Sequence, residues 1–548
     1  MRSIFTLLVT VTIATECIRG DRYHPADRGS RSTAANRAEA NSNYWVQKAQ
    51  AAIDARLAHT ESTKKARNVI LFLGDGMSVP TQAAARTLLG QRRGATGEET
   101  QMSFETFPTV GLTKTYCVDA QIADSACSAT AYLCGVKTNS GVVGVNADVQ
   151  RGDCEASTDT SKHVESIVDW ALADGRDVGI VTTTRVTHAS PSGAFAHTAE
   201  RNWENDALVK AAGFDTDRCP DIAHQLIHNH PGNKFKIILG GGRANFLPIN
   251  VHDEERTSGS RLDNRDLIEE WKQDKVYRNV SHEYIWHREQ LLRANNNLPE
   301  YLLGLFESSH MQYHMQSNTD SEPTLAELTE TAIRMLSRNE KGFFLFVEGG
   351  RIDHAHHDNL VELALDETLE MDKAVALAAE LLSEEDSLII VTADHSHVMA
   401  FNGYTPRGND ILGLSLTYAN YTWDDMPYMT LSYTNGPGFR PHVNGGRPNI
   451  TAEENYETLT WKSPVDVPLK YETHGGDDVA VFARGPHHSM FTGLYEQSQL
   501  PHLMAYAACI GPGRHACGCT GAAHAVSASV VFVAIVALLT VLGLQLEY

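Results

Sequence analysis

Residues 342–357 read GFFLFVEGGRIDHAHH. An apolar run, 343–347, stops at Glu348; two glycines follow, then Asp353, His354, His356 and His357. A short run of Phe, Leu and Val bounded by glycine reads as a fully buried strand. The polar cluster then falls just past the strand's carboxyl end, the edge at which open α/β sheets bind ligands. Asp and His together are oxygen and nitrogen donors suited to zinc. For one such cluster on its own, a solvated loop rich in histidine is an equal alternative.

Two other runs end the same way. Residues 69–73, within NVILFLGDG, deliver Asp75 between two glycines, and 388–392, within SLIIVTADHSH, deliver Asp394, His395 and His397. If the three lie side by side in one parallel sheet, their tips meet at one edge. Burying several acids together is costly unless cations neutralise them. A polymetal site is therefore the expectation.

Around these runs, strand and helix signals alternate. Helical spacing covers 44–59, with Trp45, Ala49, Ile53 and Leu57 four apart, then 163–173, 325–338 and 361–382. Further strands are read at 178–183, 236–239 and 478–483. Such alternation indicates a mainly parallel α/β sheet. Residues 403–472 break the rhythm, being rich in Gly, Pro, Asn and Tyr, and read as an inserted surface subdomain. The sheet-forming domain is then 44–402 with 473–517, preceded by a polar arm at 21–43.

The chain of 548 residues is 42% hydrophobic, ample for a large core, and its formal charge of −22 argues against a nucleic-acid partner. Residues 1–20 read as a secretory signal: Arg2, then an apolar core from Ile4 to Ala14 that is too short to span a membrane. Residues 530–546 are almost wholly apolar, and only Glu547 and Tyr548 follow. Small residues at Gly521, Ala522 and Ala523 precede a spacer to Ser529. That is the pattern of a glycosylphosphatidylinositol (GPI) signal over 518–548, with attachment near Gly521. A tail-end transmembrane helix is the alternative. Secretion permits disulfides among the nine cysteines and gives meaning to the sequons at Asn279, Asn420 and Asn449.

Residues 124–128, DSACS, lead into a helix start at 129–133. A serine there gains from the free amides and partial positive charge of a helix N-terminus, although serine is also a common N-cap. The segment DSACSATAYLCGVK, with FLGDGM, HASPSGAFAHTAERNW, FVEGGRIDHAHH, TADHSH and ETHGGDDVAVFARG, resembles the animal alkaline phosphatases, insect-like and GPI-anchored, in order from Tyr44 to Cys517.

That resemblance implies a three-layer α/β sandwich with a crown-like insertion, and a homodimer in which the helix at 44–59 reaches its partner. It implies hydrolysis of phosphate monoesters through a phosphoserine on Ser125, at the outer face of the cell membrane. One zinc is implied at Asp353, His357 and His474, and a second at Asp75, Asp394 and His395, completed by Ser125. Two such ions about 4 Å apart can clamp the attacking and leaving oxygens. Arg201, from the RNW motif, is implied to hold two phosphate oxygens. Magnesium is implied at Asp75, Ser190 and Glu348, with His188 alongside. Asp124 reads as orienting the helix start; His354, His356 and His397 match no direct ligand and read as supporting or surface residues.

A calcium site is also implied, at the Phe306 carbonyl, Glu307, Glu322 and either Glu255 or Glu254. Glu322 stands where vertebrate members have aspartate. Bridges Cys154–Cys219 and Cys509–Cys517 and a buried free Cys134 follow the family pattern. Cys117 and Cys127 depart from the vertebrate members and, flanking Ser125, suggest a third bridge; Cys519 has no obvious partner. Two other functions remain possible on this fold: a superfamily phosphodiesterase, which typically uses threonine, and a surface docking protein. A sulfatase is disfavoured because 124–128 lacks its Cys/Ser-x-Pro-x-Arg motif.

Overall fold

The computed structural model describes residues 37–415, 422 and 424–517. The leader, most of the polar arm, Asn420, Cys519, Gly521 and the apolar tail lie outside the described residues.

Asn68–Gly74 is the middle of three parallel strands, with Phe343–Gly349 on one side and Ser387–Ala393 on the other. The register pairs Gly74 with both Gly349 and Ala393, so the three strands end level. Asp75 and Asp394, each the next residue, therefore leave the sheet at the same height.

The sheet has ten strands. Beyond Phe343–Gly349 come Asp177–Arg185, Ile237–Gly241, Tyr301–Leu305 and His282–Ile285, all parallel. On the other side Val479–Arg484 runs antiparallel between Ser387–Ala393 and Thr109–Lys114, and Gly493–Glu496 closes the edge parallel to the latter. One strand in the sheet thus opposes all the others.

Every residue of the three central strands is buried. Burial on both faces explains why these strands read as unbroken apolar runs rather than as alternation. Side-chain alternation still divides them between two cores. Val69, Leu71, Phe344 and Phe346 pack with the helices Ile167–Ala173, Ile222–His228, Leu267–Tyr277 and Leu500–Ala508. Ile70, Phe72, Phe343 and Leu345 pack with Val79–Arg92, Leu325–Leu336 and Val361–Leu381. The result is three layers, helix on sheet on helix.

Local signals fix the helix ends. Thr324 and Glu327 form a capping box at the start of Leu325–Leu336. The helix expected from His163 begins only at Ile167, because Ser166 and Asp169 make another capping box and His163 is drawn into a β-bridge with Val145. The N-terminal helix begins at Ser42, capped by Asn41, two residues before the expected start and inside the stretch read as a polar arm. None of its residues is buried; Trp45, Val46, Ile53 and Leu57 stand in solvent. Short strands within 403–472 contribute to two small sheets outside the large one. Leu431–Gly436 pairs with Met399–Phe401 and Val465–Pro468, and Leu414–Ser415 pairs with Tyr428–Met429.

Disulfides join Cys117 to Cys127, Cys154 to Cys219 and Cys509 to Cys517, and Cys134 is a buried free thiol. The sequons at Asn279 and Asn449 are exposed.

Candidate metal centre

The level strand ends bring the acids together. Asp75, Asp394 and His395 place donor atoms within 4.8 Å of one another, as do Asp75, His188 and Glu348. Asp353, His395, His397 and His474 form a third such group. Asp353 and His357 lie one turn apart on the helix Arg351–His357, and each carries an atom 3.3 Å or less from His474 Nε2. His474 arrives on a short strand, His474–Gly475, paired with Ser396–His397. Gly76 turns the chain with φ of 69°, and a Cβ there would come within 2.4 Å of the His397 ring. Its amide donates to Asp394 Oδ1 at 2.9 Å.

Ser125 opens the helix Ser125–Ala129, which Asp124 caps by accepting from the amides of Ala126 and Cys127. Ser125 Oγ lies 3.1 Å from His395 Nε2 and is buried. The Cys117–Cys127 bridge ties this first turn to the preceding loop. Asp124 also holds Arg201, whose Nη1 donates to Oδ2 at 2.9 Å. Burial would raise the Asp124 carboxyl, but the Arg201 charge and the amides of Gly141 and Cys127 hold it down to about 2. Ser190 Oγ donates to Asp75 Oδ2 at 3.2 Å.

The electrostatics demand positive charge. Burial pushes Asp75 well above the usual carboxylate range, and the charges of Asp394, Asp353 and Glu348 push further the same way. Burial lifts Glu348 to about 7, despite hydrogen bonds from Thr182, Ser190 and Thr184. Asp75 Oδ1 and Glu348 Oε1 are buried with no hydrogen-bond partner among the described residues. Acids this crowded, with oxygens left unpartnered, fit divalent cations: imidazole-bearing sets suit zinc, and the oxygen donors of Asp75, Ser190 and Glu348 suit magnesium.

Two residues matter more than sequence reasoning allowed. His397 is buried, with Nε2 2.7 Å from Asp353 Oδ1 and Nδ1 2.5 Å from Glu472 Oε2. Burial disfavours its charged form, but the Glu472 charge and the bonds to Asp353 and Glu472 push it up to about 10. Glu472 itself was missed. Its carbonyl lies 2.6 Å from His357 Nδ1 and its Oε1 accepts from the Val398 amide at 2.8 Å, so it orients two histidines at once. Its signal was an acid two residues before His474. His356 is fully buried, bonded to Thr81 and Tyr433, so a surface position is ruled out. His354 and His188 pack edge to face beside the centre.

The acids read as a calcium site gather elsewhere. Burial pushes Glu322 to about 8, with the charges of Glu307 and Glu255 adding to it. The Glu255 charge also raises Glu307, after burial, so Glu255 rather than Glu254 is the acid that faces this pair. Phe306 and Glu307 directly follow the strand Tyr301–Leu305. Arg243 Nη2 already contacts Glu255 Oε2 at 2.7 Å.

The profile of the family described as alkaline phosphatase matches residues 66–510, which include every residue of the metal centre. The membrane-bound alkaline phosphatase of Bombyx mori is 62% identical over 504 residues, covering 91% of this chain and 91% of that protein. The tissue-nonspecific isozyme of Gallus gallus is 48% identical, covering 87% of this chain and 92% of its own. The alkaline phosphatase of the Antarctic bacterium TAB5 shares the fold, with a TM-score of 0.55 at 22% identity over 81% of this chain and 99% of that one. On this match in sequence and architecture, the chain is an enzyme of the alkaline phosphatase family, a hydrolase.

Proposed function

We propose that the protein hydrolyses phosphate monoesters through a phosphoserine on Ser125, with two zinc ions and one magnesium ion at the buried edge of the sheet. Asp353, His357 and His474 would hold one zinc, and Asp75, Asp394 and His395 the other. Asp75, Ser190 and Glu348 would hold magnesium, beside His188. Cations bound there supply Lewis acidity to the attacking and leaving oxygens of an in-line displacement.

Ser125 Oγ gives up its proton to solvent and attacks phosphorus, the ester bond breaks, and the leaving oxygen takes a proton from water and departs as the alcohol on the opposite side. Water then attacks the phosphoserine from the vacated side, the serine oxygen is released and regains a proton, and phosphate is freed. Asp124 keeps the Arg201 fork in place for two phosphate oxygens. Asp353 is held toward its site by His397, and His397 by Glu472.

The observation that carries this reading is the serine hydroxyl brought 3.1 Å from His395 inside a buried set of acids and imidazoles. Chelator-sensitive release of p-nitrophenol from p-nitrophenyl phosphate tests it. Turnover that survives complete removal of metal would overturn it.

A calcium ion at the Phe306 carbonyl, Glu307, Glu322 and Glu255 is part of the same proposal, supported by the raised carboxyls there. So is a homodimer, supported by the bare apolar side chains of Ser42–Ala58. So too is a GPI anchor near Gly521 that holds the enzyme outside the cell. The name of the Bombyx mori relative supports membrane attachment, and no helix among the described residues is long and apolar enough to cross a membrane.

A further inference from the structure

Beside His357 opens a cavity of about 430 Å³ whose walls include His310, Tyr313, Arg351, His354 and Tyr471. Ser125 does not line it. In an in-line displacement the alcohol leaves opposite the nucleophile, and this cavity adjoins the donor set placed on that side.

Arg351 is the unusual member. Its guanidinium lies 3.8 Å from the centroid of the Tyr313 ring, and Nη1 is 2.8 Å from His354 Nδ1. Among the described residues no carboxylate pairs with it within 4.0 Å. Its neighbours differ: Arg201 is paired with Asp124, and Arg185 with Glu204. Arg351 Nε is buried and has no hydrogen-bond partner among the described residues. The acid on the cavity wall, Asp358, faces Lys462 at 3.9 Å instead. With the guanidinium over the Tyr313 ring and Nη1 turned to His354, Nη2 is the donor left for an anion, and Tyr313 and Tyr471 add aromatic surface to the walls.

We propose that this cavity receives the alcohol half of the substrate, and that Arg351 selects phosphate monoesters whose leaving alcohol carries a second anionic group, a carboxylate or another phosphate. Arg351 is then a specificity residue of the reaction proposed above, on which this inference rests.

The test compares 4-carboxyphenyl phosphate with its methyl ester, which has the same ring but no charge, on the metal-loaded full chain. The expected kcat/KM ratio favours the carboxylate by about 5-fold, the size of a half-exposed ion pair, mostly through KM. Added salt shrinks the ratio. Arg351→Ala takes it to about one while zinc content stays at the wild-type level, and Arg351→Lys keeps part of it. A wild-type ratio of one, with both esters turned over, overturns the proposal. So does a ratio unchanged in a metal-replete Arg351→Ala. Turnover of neither ester by the wild type overturns the hydrolase reading itself, and the inference falls with it.

Discussion

Two clusters of buried acid differ in how they came to be. At the sheet edge, Asp75 and Asp394 are placed by strand register, and His397 is spent on Asp353 and Glu472, which leaves Asp75 Oδ1 and Glu348 Oε1 without a hydrogen-bond partner among the described residues. Around Glu322, the acids come largely from loops, and Arg243 has already reached in to neutralise Glu255. The first cluster leaves its charge to be balanced from outside; the second balances part of it within the chain. An edge with unpartnered carboxylate oxygens calls for cations from outside, whereas acids that already share an arginine call for less.

That contrast can be broken most severely at Ser125. Ser125→Ala is expected to lower turnover of p-nitrophenyl phosphate by on the order of 10⁴-fold or more while zinc content stays unchanged. Undiminished turnover would show that the edge cluster does not serve this serine. Glu472→Gln is expected next, with metal affinity weakened about 10- to 100-fold, because His397 loses the carboxylate that orients it, while the backbone carbonyl that holds His357 is kept. Chelator titration followed by activity and metal analysis measures this; unchanged affinity would reduce Glu472 to a packing residue.

Removing the loop bridge with Cys117→Ser and Cys127→Ser together should cost about 2–3 kcal/mol of stability and lower kcat more than zinc content. Denaturant unfolding with metal analysis separates the two effects. Equal loss of both would mean that the bridge supports the metal centre and not the serine.

The smallest effect sits in the second cluster. Glu322 has a folded-state pKa raised to about 8 from an ordinary 4.5. The folded chain therefore binds its proton more tightly, so the stabilisation is complete below about 4.5 and is lost as pH rises to about 8. In chelator, Glu322→Gln should flatten the melting profile across that window relative to wild type. Added calcium should raise the wild-type melting temperature most above pH 8. Parallel pH profiles for the two proteins would remove Glu322 from the account.

Much of the edge was legible because buried parallel strands write themselves as apolar runs, and each of these runs stops at an acid. The serine was picked out by the resemblance carried by the DSACSATAYLCGVK segment, since a serine at a helix start is by itself a common cap. The support was not legible. Nothing local to His397 or Glu472 indicates that they meet, since 75 residues separate them and their bond depends on where the chain returns. The choice between Glu254 and Glu255 turned on which carboxylate faces Glu307 and Glu322, which no spacing rule reveals. The late start of the helix at Ile167 follows from a capping box that competes with a continuous apolar pattern.

The lone reversed strand, Val479–Arg484, has a structural corollary. Forward strands release their donors as they finish, but a reversed one must collect its donors before it starts. The polypeptide departs from the rim at Val398 and is fastened there again by Glu472, whose carboxylate grips that same departure point. Of the described residues between those two moorings, Ile411, Leu431, Tyr433 and Val465 pack into the core, and the short strands pair outside the large sheet. The exposed parts of that span can change length or character without shifting the strand ends that carry Asp75 and Asp394, whereas changes at Tyr433 reach His356.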